Sequence, residues 1–526
     1  MSASLQYANQ QRLIAALRDP RRYPHTAKNV EVIETHISWV LLAGDYAYKI
    51  KKALNLGFLD YSTLAVRRDF CDQELHLNRR TAPDIYLDTV AIGGSADAPV
   101  FGAQLAIEYA VRMRRFDPAA TMDHLLLQGK IEARHIDRLA AVIANFHSGL
   151  TVAAADSAFG TPAAIHAAAM QNYEQLRALL PGKADRADIE ELEATTEAGF
   201  AEGKEMFARR RAQGFVRECH GDLHLGNIVR PGDEPVPFDC IEFNPSLRWI
   251  DVMDEVAFAV MDLLYRDHAD FAWRLLNAYL EASGDYGGLP VLRFYLAYRA
   301  AVRAKVCAIR AGQADISKPV RQQELLACRS YLALARRCLA QYAPALIITH
   351  GLPGSGKTTF SQLALQQLGA IRIRSDVERK RLFGLGVLES SRASGGDIYS
   401  REATVATYAR LHELARESLV AGYTVIVDAA FLKRGERESF CRLALEMAVP
   451  FAIASLYARD EALRERIRQR RNDASEADVA VLEKLSAVQE RLTPEESKLA
   501  ASFTTAEAPN SAANTRAWKK LSDLLA

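Results

Sequence analysis

No stretch of this 526-residue chain approaches the ~20 consecutive apolar residues that a bilayer-spanning helix requires, so no membrane span is expected. Residues 1–22 are polar and lack an apolar core, so no secretory signal is expected either. Neither sign of charge dominates. The 66 Lys and Arg against 65 Asp and Glu leave a net +1, which argues against a global field that would draw the protein onto nucleic acid or anionic lipid. The seven cysteines, at 71, 219, 240, 307, 328, 338 and 441, are scattered, odd in number and without a C-x-x-C pair. That pattern argues against a disulfide framework and a cysteine zinc cluster, and suits small buried thiols in a reducing cytoplasm. Also lacking is a stripe of basic and aromatic residues of the kind that single-strand binders use as a stacking platform.

What is present is ordinary globular material, 49% hydrophobic and 25% charged, long enough for two large domains or three of ~100–200 residues. Short runs rich in β-branched and aromatic residues at 30–33, 37–42 and 46–51 predict strands. A charged helix follows over about 63–80, then a strand pair at 85–92 and 104–112. This is a small β lobe over about 25–115, followed by a helical, Ala-rich region over about 116–342. Residues 215–243 interrupt the helices with short strands around a polar loop. From 343 the character changes. Apolar runs at 345–350, 371–373, 424–427 and 451–456 alternate with helical sequence, the pattern of a parallel α/β sheet. The expected domains are therefore 1–342 and 343–503, with 504–526 as a linker and a short C-terminal helix.

Gly351-Leu-Pro-Gly354-Ser355-Gly356-Lys357-Thr358, followed by Thr359, stands between a strand and a helix and fits G-x-x-x-x-G-K-[ST]. Its glycines let backbone N–H groups curl around phosphate oxygens, Lys357 supplies a cation to the β/γ-phosphates, and Thr358 offers a hydroxyl to Mg²⁺. ATP and Mg²⁺ are the implied cofactors. Asp376, at the end of the next strand, is placed to take a proton from an attacking hydroxyl, with Arg379 one turn later as its acceptor-side partner. Asp428 closes an apolar strand in a position suited to Mg²⁺ or its waters. Arg466 and Arg470, four apart on one helical face, suit a lid that closes over the transferring phosphoryl group.

A second constellation lies upstream. His220-Gly-Asp222-Leu-His224-Leu-Gly-Asn227 sets an Asp and an Asn five residues apart in one tight loop. Phosphoryl transfer needs a carboxylate beside the acceptor hydroxyl and an amide oxygen on Mg²⁺, roles that Asp222 and Asn227 fit. Asp239, twelve residues past Asn227 at a strand end, suits a second metal ligand.

These residues carry two resemblances. The loop Asp222–Asn227 with Asp239 resembles the aminoglycoside phosphotransferase family, which implies a protein-kinase-like α+β fold over about 30–310, Asp222 as base, and Asn227 and Asp239 on the metal. It also implies a strand lysine on the nucleotide phosphates paired with a helix Glu. Lys49, in Ala47-Tyr48-Lys49, fits that position, Lys51 on the same strand face competes for it, and Glu74 is the best-placed partner. No G-x-G-x-x-G precedes the lysine; the turn reads Glu34-Thr-His-Ile-Ser38. From 345 to about 495 the chain resembles polynucleotide 5′-hydroxyl kinases and zeta-toxin-like kinases on a P-loop NTPase fold. That likeness implies Asp376 as base, Arg379 on the acceptor, and Arg466 and Arg470 as lid residues. The expectation is a cytoplasmic, bifunctional kinase acting on hydroxyl acceptors. A nucleic-acid 5′ end is one acceptor for the P-loop half, and a small sugar or sugar nucleotide is its rival. A regulatory or substrate-binding N-terminal half, or an ATP-gated switch, are the alternatives.

Overall fold

Alternating β-branched and polar residues pair into an antiparallel sheet wherever one face can be buried. The computed structural model describes residues 3–55, 59–313, 316–391, 398–469, 474–505 and 511–525. Its first sheet comprises β1 (Val30–Glu34), β2 (Ser38–Ala43), β3 (Tyr46–Lys51), β4 (Tyr86–Gly94), β5 (Pro99–Phe101) and β6 (Ala106–Arg114), in the order β1-β2-β3-β6-β4-β5. Lys49 stands on an inner strand, opposite Val40 and Val111. Period two sorts β3: Tyr48 and Ile50 enter a core with Leu13, Ile14 and Leu17 of α1 (Ala3–Ala16), a helix that the sequence reading left unassigned. Lys49 and Lys51 face the other way, toward α2 (Leu64–Asn78), whose N-cap Thr63 accepts from the Val66 N–H.

Helices α3 (Met122–Leu127), α4 (Ala133–Ser148), α5 (Pro162–Leu179) and α6 (Lys183–Ala212) follow. The interruption at 215–243 consists of two small antiparallel pairs, β7 (Val216–Glu218) with β10 (Trp249–Asp251) and β8 (Ile228–Val229) with β9 (Val236–Pro237). They frame the polar loops at 219–227 and 238–243. Beyond them come α7 (Val252–Tyr265), α8 (Ala269–Ser283), α9 (Leu289–Ala311) and α10 (Lys318–Leu339). Small sheet, then helices: this is the protein-kinase-like arrangement.

The apolar runs after 343 form an all-parallel sheet of β11 (Leu346–His350), β12 (Ile371–Arg374), β13 (Val425–Asp428), β14 (Phe451–Tyr457) and β15 (Ala500–Thr504), ordered β12-β13-β11-β14-β15. The central β11 is buried throughout, as an inner strand of a covered parallel sheet must be, its polar Thr349 and His350 included. The helices are α11 (Lys357–Leu368), α12 (Ser375–Leu382), α13 (Arg401–Val420), α14 (Arg434–Glu446), α15 (Asp460–Gln469), α16 (Val479–Ala487), α17 (Pro494–Lys498) and α18 (Ala512–Leu525). Thr504, expected to begin a linker, instead ends β15, and the Asn514 side chain bonds both its N–H and its C=O at 3.1 Å. No helix among the described residues is long and apolar enough to cross a membrane.

Compactness divides the chain into two units, residues 1–170 with 207–262 and residues 171–206 with 263–526, rather than at the expected 342–343. The reason is visible within the second unit. Strand β12 is a sheet edge, and helix α8 covers it. The Asn277 amide donates to the Ala370 carbonyl (3.0 Å) while its oxygen accepts the Arg372 N–H (2.7 Å), standing in for a neighbouring strand. Tyr286 donates to the Arg372 carbonyl, and Arg293 donates to the Gly422 carbonyl while lying 4.6 Å over the Tyr423 ring. Asn277→Leu should leave a buried N–H and C=O unpaired, destabilising this unit by about 2–4 kcal/mol. Faster hydrogen exchange at the Arg372 amide is the local measure of that loss.

Candidate active sites

In the first unit, Lys49 Nζ bonds Glu74 Oε1 at 2.7 Å and Asp239 Oδ1 at 2.6 Å. Lys51 Nζ takes the other Glu74 oxygen, Oε2, at 2.7 Å, and also bonds Glu242, which accepts the Tyr61 hydroxyl. The two lysines left open by the sequence therefore divide one glutamate between them. They differ in exposure: the Lys49 side chain keeps 12% of its surface, Lys51 none. Burial alone would raise the Glu74 carboxyl, but the two ammonium groups outweigh it and hold its pKa at about 2.

Asp239 has a left-handed backbone (φ 63°), a strained conformation for a non-glycine residue. Its N–H donates to the Tyr86 hydroxyl (3.1 Å), and the next N–H, of Cys240, donates to Asn78 of α2 (2.8 Å). Phe238 and Ile241 donate backbone bonds to Asn227 and His220, so the loops carrying Asp239 and Asp222 are stitched together. The Asn227 amide N–H₂ donates to the Asp222 carbonyl (3.0 Å) and to its Oδ2 (2.9 Å). That leaves the amide oxygen as the Asn227 ligand atom. One amide oxygen and one carboxylate form a hard-oxygen set that fits Mg²⁺.

Residues that sequence reasoning missed support this loop. Glu255 of α7 accepts the N–H groups of His220 (3.1 Å) and Gly221 (2.7 Å) and the His147 ring nitrogen (3.1 Å). Burial opposes its charge, but these bonds and the two imidazoles hold its pKa at about 2. Asp262 likewise accepts the Leu225 N–H at 2.9 Å. Gly221 is required as glycine: at φ +88° a Cβ would lie 2.6 Å from the Leu247 carbonyl. His147, Cys219 and Glu255 converge closely enough for a metal. Both Glu255 oxygens are committed to the loop, however, and burial keeps the Cys219 thiol protonated. Glu255 lies 33 residues beyond Asp222, with no spacing signal to betray it. The β1–β2 turn lacks glycines and is held by Thr35, which bonds across to Ser38, and by Lys52, which bonds Glu34 and the Thr35 carbonyl.

In the second unit, Gly351, Gly354 and Gly356 all take positive φ. At Gly356 a Cβ would meet the Thr505 side chain at 2.8 Å, so the loop backbone can approach only without one. Lys357 Nζ donates to the Gly351 and Leu352 carbonyls, both at 2.9 Å. Ser355 Oγ is buried inside the loop without a protein partner among the described residues, a donor suited to a phosphate oxygen. Asp428 accepts the Ser361 hydroxyl at 2.9 Å. Ser361 was missed, although it lies three residues from Thr358 on the same face of α11. A carboxylate at the tip of β13 beside the P-loop helix suits Mg²⁺ or its waters.

Asp376 lies in the first turn of α12, and its charge, after burial, helps push the Tyr399 hydroxyl up to about 12. Tyr399 also stacks over the Arg379 guanidinium at 5.2 Å. Arg379 donates to the Ile398 carbonyl (2.8 Å), and its buried Nε finds no partner among the described residues. Arg466 does not range over the site. It donates to the Gly354 carbonyl (3.1 Å), Thr505 Oγ1 (2.7 Å) and the Thr505 carbonyl (2.6 Å), holding the P-loop to the end of β15. Arg470 lies outside the described residues. Thr359, Phe360, Arg466, Thr505 and Trp518 border a pocket of about 330 Å³, with Phe360 stacked 5.2 Å from Trp518.

At the tip of β11, burial and the Arg437 and Lys357 charges pull the His350 imidazole from 6.5 down to about 4. Its folded pKa lies below its unfolded one, so its stabilisation is complete above pH 6.5 and is lost as pH falls toward 4. The loss should reach about 3 kcal/mol, and His350→Gln should flatten it in denaturant titrations across that window.

A family model described as an AAA domain matches residues 346–492. The chain is 31% identical over 471 residues to the Mycobacterium tuberculosis protein Rv2004c, an alignment covering 88% of this chain and 90% of that protein. Among solved structures, it is similar to an aminoglycoside phosphotransferase from Alicyclobacillus acidocaldarius over 61% of this chain and 94% of that one (13% identity, TM-score 0.34). It is also similar to a sugar kinase from Janibacter sp. HTCC2649 over 34% and 95% (20% identity, TM-score 0.27).

Proposed function

The chain belongs to the family of the mycobacterial protein Rv2004c, and we propose that it is an ATP-dependent phosphotransferase with two separate Mg²⁺-nucleotide sites, each serving a hydroxyl acceptor. The 471 aligned residues are more than either half of the sequence holds, so the likeness spans both modules. The observation that carries the reading is Lys49 bonded at once to Glu74 and Asp239. A strand cation fixed by a helix carboxylate, next to a metal-binding carboxylate, is the arrangement that orients nucleotide phosphates in kinase folds. Lys51, fully enclosed between Glu74 and Glu242, is assigned to structure instead.

In the N-terminal site Asp222 takes the acceptor proton, with Asn227 and Asp239 as the metal ligands. Bound Mg²⁺ would neutralise the phosphate charge that develops during transfer. In the P-loop site the N–H groups of Gly354–Thr359 and the Lys357 ammonium cradle the phosphates, with Gly351 opening the loop, while Thr358 and Asp428 serve Mg²⁺. Asp376 is the base and Arg379 holds the acceptor side. The nucleoside lies in the pocket beside Phe360 and Trp518, with Arg466 fixing its wall. Calorimetry with a non-hydrolysable ATP analogue and Mg²⁺ should count two sites per chain; a count of one would leave a single kinase module. An acceptor screen with labelled ATP, covering small sugars, sugar nucleotides and 5′-hydroxyl oligonucleotides, identifies the acceptor class. Steady ADP release with no acceptor labelled would favour the switch reading.

A further inference from the structure

The Mg²⁺ side of the P-loop site is reached by a residue from far outside the P-loop segment. Arg372 and Arg374, two apart on β12, share one strand face, and both address Glu281 of α8. Arg372 Nε and NH2 lie 2.8 and 2.6 Å from Glu281 Oε1, and Arg374 NH1 lies 3.5 Å from Oε2. On its other side, Arg374 Nε stands 4.0 Å from Asp428 Oδ2, too far for a hydrogen bond. The result is a buried row of alternating charge, Arg372, Glu281, Arg374, Asp428, in which no side chain exposes more than 13% of its surface. Glu281 has little freedom to leave: its own carbonyl accepts from Arg381, and Asn277, one turn earlier, is clamped to the strand edge.

A guanidinium between two carboxylates in a weakly screened site is divided by their relative pull. We propose that Glu281 is a positioning residue of the P-loop site, holding Arg374 back from contact with Asp428 so that this carboxylate stays available to Mg²⁺. The inference rests on the reading of Asp428 as the Mg²⁺-side group. Without the Glu281 charge, Arg374 closes onto Asp428 and competes with the metal.

The test is calorimetric nucleotide binding as a function of Mg²⁺, using the full chain in a Lys49→Met background so that the P-loop site is the one that loads. Glu281→Gln keeps the size and hydrogen bonding of the side chain and should raise the Mg²⁺ needed for half-saturation about five- to tenfold. Adding Arg374→Met to Glu281→Gln should bring the requirement back toward wild type, and Arg374→Met alone should not raise it. An unchanged requirement in Glu281→Gln, or a double variant as impaired as the single one, would overturn the proposal. Nucleotide binding that is indifferent to Mg²⁺ in the unmodified P-loop site would overturn the reading of Asp428, and the proposal with it.

Discussion

Asp222→Ala should lower phosphoryl transfer at the N-terminal site by about 10²- to 10⁴-fold while leaving the P-loop reaction intact. The loop should survive the change because it does not hang on Asp222. The N–H groups of His220 and Gly221 are held by Glu255, and that of Leu225 by Asp262. Among the described residues the Asp222 carboxylate accepts from the Asn227 amide and lies 3.7 Å from the His224 ring, while its backbone bonds to Asn227, His224 and His220 are ones that alanine retains. The loss should therefore fall on turnover more than on nucleotide affinity. Lys357→Ala should do the reverse, silencing the P-loop reaction and sparing the other. Labelled-ATP assays of both variants, side by side on each site's acceptor, separate the two. If Asp222→Ala changes no activity at all, the N-terminal half is a binding module.

Lys51→Met should destabilise the first unit by about 3–5 kcal/mol, because it strips a buried cation from two buried carboxylates, Glu74 and Glu242. Lys49→Met should cost much less stability. Glu74 then keeps Lys51, and Asp239, with 44% of its side chain exposed, can be solvated by water. Adjacent same-face lysines thus separate by role, Lys49 on activity and Lys51 on stability. A two-unit chain need not unfold in one step, so hydrogen exchange of β3 and α2 is the better measure than a single midpoint. Equal destabilisation by both variants would undo this division.

The contiguous motifs were legible in the sequence. A P-loop is a run of eight residues whose glycines and lysine act through one stretch of backbone, and the Asp222–Asn227 loop is nearly as local. The hydrophobic periods were legible too, and the antiparallel lobe and the parallel sheet follow from them. Strand β15 escaped notice because Ala500-Ala-Ser-Phe-Thr504 has little strand propensity of its own and forms beside β14, which supplies its ladder. Period two made Lys49 and Lys51 equivalent on paper; only the position of α2, Asp239 and Glu242 distinguished them. Glu255 under the Asp222–Asn227 loop, Ser361 on Asp428, and Glu281 behind Arg374 are pairings across tens of residues. No local pattern encodes them, since which carboxylate meets which cation is settled when helices pack and low-dielectric burial forces every charge to find a partner. Local sequence determined the P-loop motif, the Asp222–Asn227 loop and the elements that carry them. Tertiary packing decided which side chains hold those motifs in place, and that helix α8 belongs with the parallel sheet.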